Sequence, residues 1–278
     1  MIPFMRISFD LDGVLADMDT ALATIAEREF GVSMRSQTLA GPGKSQSPLH
    51  PPDAPSPGTR ASESVTGRTG DIGSLSAPDA LPTAAVLSLL TARQQTRLWN
   101  RVAETRNFWE TLAELEAGSI RRLQRLAHDL AWEVLFVTQR PATAGRTAQV
   151  QSQRWLKHHG FEFPAVYTTR GSRGRIATAL TMDAHVDDRL DNALDIATDS
   201  PAWSILVWRD EESSARIQVN AKRMNIAVVR TVGEAIDKLE HAARGLRGGV
   251  RGRGSSDTSP AEGSDIVDRL KRAFGFKP

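Results

Sequence analysis

Cysteine is absent from this 278-residue chain. Disulfides, thiolate nucleophiles and Cys-based zinc sites are therefore excluded, which fits a reducing compartment. An excess of either charge is nearly absent too: 35 Lys and Arg against 33 Asp and Glu leave a net +2. No chain-wide field argues for nucleic acid or an acidic partner. No stretch approaches the ~18 consecutive apolar residues of a membrane-spanning helix, and acids interrupt the short apolar N-terminal run by Asp10 and Asp12. The expectation is a soluble, cytoplasmic protein without a membrane partner. Internal repeats are missing as well. Among the six histidines, His158, His159 and His185 show no carboxylate-and-histidine grouping of the kind that binds zinc, and they read as structural.

What the chain does have is an alternating apolar run, Phe4-Met5-Arg6-Ile7-Ser8-Phe9, ending in Asp10-Leu11-Asp12-Gly13-Val14. The alternation predicts a β-strand, and Gly13 permits a sharp turn after it. Both carboxylates then meet one site just beyond the sheet edge, in the crevice where open α/β sheets bind ligands. Two acids so close raise each other's pKa unless a cation joins them. Hard oxygen ligands favour Mg²⁺.

Asp10-Leu11-Asp12-Gly13-Val14 resembles the first motif of the haloacid dehalogenase-like (HAD) hydrolases, mostly Mg²⁺-dependent phosphatases that form an aspartyl-phosphate. Val134-Leu135-Phe136-Val137-Thr138 resembles their second motif, Gly171-Ser172-Arg173-Gly174-Arg175-Ile176 occupies the place of the third, and Ala184-His185-Val186-Asp187-Asp188 resembles the fourth. The resemblance implies Asp10 as nucleophile and metal ligand, Asp12 as general acid and base lending its backbone carbonyl to the metal, Thr138 on the phosphoryl group, and Asp188 as a metal ligand. Arg173 stands where the family usually has Lys, with Arg175 as its rival. Asp187 and Asn192 are implied in support of the metal ligands, as is Asp191. Within the superfamily, residues from Leu98 to Asn192 are similar to the 5'(3')-deoxyribonucleotidase group. That likeness implies Phe108 and Trp109 in a nucleobase pocket; Gln139, beside Thr138, is expected among the substrate contacts. Gln139-Arg140 and Arg173 depart from the group's pattern.

Strands alternating with helices predict the α/β class, a Rossmann-like parallel sheet covered by helices on both faces. Helices are expected at Met18–Phe30 with Gly31 as C-cap, from Thr83 to Arg101, from about Asn107, from Gly118 to Leu130, from Thr147 to His159, from Arg175 to Leu180 and from Val232 to Ala243. Strands are expected at Val134–Thr138, at Ala165–Tyr167, up to Asp188, at Ser204–Trp208 and at Ile226–Val229. The expected organisation is a core of 1–15 and 131–244 with a small helical cap, 16–130, inserted after the first strand. Eight of the fourteen prolines fall between residues 41 and 82, a composition unable to offset its ordering entropy, so a disordered insertion is expected there. A Gly/Arg/Ser-rich linker, 245–263, leads to an amphipathic helix, 264–278, striped by Ile266, Leu270 and Phe274. Without interleaved aromatics the Arg-Gly run does not argue for nucleic acid. The sequence thus points to a Mg²⁺-dependent phosphomonoesterase acting on a small, nucleotide-like phosphate ester. The alternative is a non-catalytic HAD scaffold that binds a phosphorylated ligand or partner. Nothing in the sequence indicates the oligomeric state.

Overall fold

The computed structural model describes residues 5–31 and 85–250. The insertion expected at 41–82 and the C-terminal helix expected at 264–278 lie outside the described residues, as does the linker beyond residue 250.

Six short strands build one sheet: β1 (Arg6–Phe9), β4 (Glu133–Thr138), β5 (Ala165–Thr168), β6 (Ala184–Asp187), β7 (Trp203–Val207) and β8 (Ile226–Val229). Their spatial order is β5-β4-β1-β6-β7-β8, and every pairing is parallel. In order of appearance this reads third, second, first, fourth, fifth, sixth, the doubly wound Rossmann arrangement. The chain leaves β1 to one side through β4 and β5, then returns to its other side at β6. Between β1 and β6 the strand order reverses, and beyond the strand ends at such a switch point open α/β sheets form a crevice.

The nine helices among the described residues are α1 (Met18–Phe30), α2 (Ala85–Ser88), α3 (Ala92–Glu104), α4 (Ser119–Leu130), α5 (Ala148–His158), α6 (Arg173–Ala179), α7 (Leu190–Asp199), α8 (Glu211–Arg223) and α9 (Val232–Val250). Right-handed crossovers place α4 and α5 on one face of the sheet and α6, α7 and α8 on the other. The period-2 pattern of the strands feeds both sides. Trp203, Ile205 and Val207 of β7 join a large core with Ile7, Phe9, Ile120 and Leu239, while Leu206 packs with Ala193, Ile217 and Ala221 beneath α7 and α8. Helix α9 returns beside α4, where Arg122 pairs with Asp237 and Glu240.

Helices α1 to α4 lie between β1 and β4. Leu22 and Ala26 of α1 and Leu98 and Val102 of α3 belong to the same hydrophobic cluster as Ile7 and Phe9. Several elements differ from the sequence reading. The helix expected from Thr83 to Arg101 is two helices, α2 and α3, divided at Thr91, whose side chain forms a reciprocal capping box with Gln94. At Asn107 only a 3-10 turn, Phe108–Glu110, forms. A two-residue strand, β2 (Ala16–Asp17), pairs antiparallel with β3 (Ala113–Glu114) and ties the loop after Asp12 to the segment before α4. Helix α9 runs to Val250, into the stretch expected to begin a linker. No helix among the described residues is long and apolar enough to cross a membrane.

Candidate active site

The Asp10 amide donates to the Val186 carbonyl at 2.9 Å, carrying the β1–β6 pairing one step beyond the strand. The chain then turns through Gly13, whose φ of 77° suits only a residue without a side chain. The turn closes on itself, the Ala16 amide reaching the Leu11 carbonyl at 2.7 Å and the Gly13 amide the Ala16 carbonyl at 3.0 Å. Asp10 and Asp12 are both buried at this strand end. Across the crevice β6 ends at Asp187, followed by Asp188, and both are 1 % exposed. Asp10, Asp187 and Asp188 each place one carboxylate oxygen within 4.8 Å of the others.

Three carboxylates cannot stay ionised together in a buried crevice unless positive charge joins them. Burial first, then the charge of Asp187, pushes Asp10 well above the usual carboxylate range, against the opposing pull of Arg173. Asp188 is raised well above it as well, by burial and by Asp187, Asp10 and Asp19. Asp187 behaves oppositely. Burial pushes it up, but hydrogen bonds from His185 and the Arg189 amide, with the charges of His185 and Arg173, hold it below the ordinary value. Its oxygens accept from His185 Nε2 at 3.1 Å, Arg189 N at 2.9 Å and Asn192 Nδ2 at 3.0 and 3.2 Å. Asp10 Oδ1 and Asp188 Oδ1, by contrast, are buried and have no hydrogen-bond donor among the described residues. Such orphaned anionic oxygens are costly, and an all-carboxylate donor set suits a hard divalent cation. The residues present therefore fit a metal. Asp19, in the first turn of α1, is lifted to about 7 by burial and by Asp17 and Asp12.

The sequence reading gave Asp12 to the metal through its backbone carbonyl and Asp187 to the support of the ligands. The oxygens that converge belong to Asp10, Asp187 and Asp188, and the Asp12 side chain turns elsewhere. Arg140 grips it with a fork, Nη2 to Oδ1 at 2.6 Å and Nε to Oδ2 at 2.9 Å, and the Thr138 hydroxyl donates to Oδ2 at 3.3 Å. The Arg140 side chain is wholly buried. It stacks against Trp109 and Trp155, 4.9 and 5.7 Å from their centroids, and donates to Ser152 Oγ at 2.9 Å. Sequence reasoning noted Arg140 only as a departure from the deoxyribonucleotidase pattern and gave it no role. The signal was present, a charge two positions past the strand-ending Thr138, but its value depends on two tryptophans that only the fold brings to it.

Among the remaining predicted residues, Arg173 is 5 % exposed and brings Nη2 to 3.6 Å from Asp10 Oδ1, while Arg175 is exposed. The Arg173 Nε is buried without a partner among the described residues. Arg173 opens α6, whose N-cap Ser172 binds Asp195 Oδ1 at 3.0 Å, and the Gly174 amide binds Asp195 Oδ2 at 3.0 Å. A methyl group at Gly174 would strike the Asp195 carbonyl and come within 2.6 Å of Asp199 Cβ. Gly174 thus allows the close α6–α7 contact that seats Arg173. Gln139 and Asp191 are exposed, while Asn192 supports Asp187. Phe108 and Trp109 are both buried and meet edge to face at 5.0 Å. Trp109 donates from Nε1 to the Pro141 carbonyl at 2.9 Å and from its amide to Gln151 Oε1 at 3.0 Å. Neither ring presents a face on which a base could stack.

No protein-family model and no curated protein matches this chain. What the site does must therefore be read from its geometry and from the motifs that carry it.

Proposed function

We propose that this protein is a Mg²⁺-dependent phosphomonoesterase of the HAD type, acting on a small phosphate ester. The observation that carries this reading is a paired demand at one strand end: two buried carboxylate oxygens without donors, Asp10 Oδ1 and Asp188 Oδ1, beside a buried guanidinium, Arg173, with an unpartnered Nε. The first calls for a cation and the second for an anion, and a metal-bound phosphoryl group supplies both. The order of the four HAD-like motifs, three at strand ends and the third at the start of α6, supports the same reading.

In this scheme Asp10 attacks phosphorus in line, forming an acyl phosphate as the bond to the leaving alkoxide breaks. For the alkoxide to leave, Asp12 must release the Arg140 fork and take up a proton from solvent, which it passes to that alkoxide; it later takes one back from the water that opens the acyl phosphate. Asp10 and Asp188 would hold the cation, with Asp187 at its side, and a bound Mg²⁺ offsets charge between the carboxylate and the phosphoryl oxygens. Arg173 binds a non-bridging oxygen as a planar fork where a Lys would be a point charge. The test is a screen of nucleoside monophosphates, sugar phosphates and p-nitrophenyl phosphate with Mg²⁺, using Asp10→Asn as control. Turnover lost in Asp10→Asn supports the scheme. If the variant keeps more than about a tenth of the wild-type rate, a barrier change under ~1.4 kcal/mol, the nucleophile is misassigned. One observation favours a second reading, a scaffold that binds phosphate esters without turnover: both Asp12 oxygens are already engaged by Arg140. Calorimetric binding of a nucleotide with no hydrolysis in the whole screen would select it.

A further inference from the structure

The fold places three polar groups in line beneath the crevice. Ser8 of β1 and His185 of β6 are directly opposed across the parallel pairing, and Ser8 Oγ lies 2.7 Å from His185 Nδ1. His185 and Asp187 are two residues apart on one strand and so share a face, with His185 Nε2 3.1 Å from Asp187 Oδ2. All three side chains are buried, at 1, 2 and 1 % exposure. An ionised carboxylate only accepts hydrogen bonds, so Nε2 carries a proton, and Nδ1 is held by Ser8 Oγ, which also lies 3.5 Å from the Ala184 carbonyl. A buried imidazole is costly unless both its nitrogens are bonded, and here the second bond ends on a carboxylate at the candidate cation site.

We propose that His185 is a positioning residue: through Nε2 it fixes the orientation of the Asp187 carboxylate beside Asp10 and Asp188, while Ser8 anchors the imidazole through Nδ1. This rests on the reading that the site takes a divalent cation. Outer partners of this kind commonly change metal affinity by roughly 10- to 100-fold. His185 touches none of the three converging oxygens except through Asp187, so its effect falls on cation affinity rather than on chemistry at saturating metal.

The experiment is calorimetric titration of the metal-free full chain with Mg²⁺ alone, comparing wild type, His185→Gln, His185→Asn and Ser8→Ala, with melting temperatures taken on the same samples. A Gln amide nitrogen reaches the place of Nε2, whereas an Asn amide reaches only that of Nδ1. His185→Gln is expected to bind within about threefold of wild type, and His185→Asn about tenfold or more weakly. Ser8→Ala should shift in the same direction by less. Equal affinities for the Gln and Asn variants, both retained or both lost, overturn the positioning role while leaving the cation site standing. Absence of Mg²⁺ binding by the wild type instead removes the cation site, and this inference with it.

Discussion

Arg140 carries the largest single electrostatic commitment in the site. It is wholly buried, pairs with Asp12 through two nitrogens and is sandwiched by tryptophans. Removing one partner of a buried ion pair leaves the other charge uncompensated, at a cost of ~3–5 kcal/mol. Arg140→Met should therefore destabilise the protein by about that amount in urea unfolding, and adding Asp12→Asn to it should recover part of the loss. Additive losses in the double variant would mean that the two side chains do not act as a pair. Asp10 presents the opposite case. Its carboxylate is disfavoured by burial and by Asp187, so Asp10→Asn removes a source of repulsion. The metal-free variant should melt no lower than wild type even as turnover disappears.

At the level of elements, α6 and α7 depend on the missing side chain of Gly174. A Cβ there meets the Asp195 carbonyl and Asp199 Cβ, and over-packing of this sort typically costs ~1–3 kcal/mol. Gly174→Ala should lower the melting temperature by about 2–4 °C per kcal/mol. It should also weaken phosphate-ester binding, since Arg173 is the neighbouring residue. Unchanged melting would show that the helices separate freely. Local signals made some elements legible in the sequence: α1 ends at Phe30 because Gly31 adopts a left-handed cap with φ 65°, and Thr147 caps α5 through the Val150 amide. Elements without such signals were missed. Strands β2 and β3 are two residues each, and their partners lie nearly a hundred residues apart. Helix α7 has no side-chain cap bond at Arg189. In the site, Asp10 was legible from its strand end, and Asp188 and Thr138 through their likeness to the HAD motifs, whereas the Arg140 fork and the burial of Phe108 and Trp109 depend on side chains brought together from afar.

For the molecule as a whole, the buried acids make stability depend on pH and metal together. A carboxyl whose folded pKa is raised binds more protons folded than unfolded between its two values, so stability falls as pH rises through that window. For Asp19 the window runs from the ordinary 3.8 to about 7, and Asp10 and Asp188 act in the same sense. Asp187, whose value is lowered, contributes stability above its ordinary value and loses it only in stronger acid. The metal-free protein should thus melt lower at pH 7.5 than at pH 5. Asp19→Asn should reduce that difference, and Mg²⁺ should reduce it further, since binding to the ionised form favours folding. A melting temperature that climbs steadily from pH 5 to 7.5 without metal would contradict the assignment of these groups as strained acids.

The place of β1 in the sheet also sets an order of events in time. Its two neighbours, β4 and β6, come from far down the chain: Arg6 pairs with Glu133, and Ser8 with His185. At roughly 5–20 residues per second of synthesis, Asp10 waits about ten to forty seconds for Asp187 and Asp188 to follow it. Throughout that interval the strand bearing Ile7 and Phe9 lacks its β6 partner. The central strand is the first to be made and among the last to be enclosed, so a growing chain carries the first half of its chemistry as an unprotected apolar edge until the second half arrives.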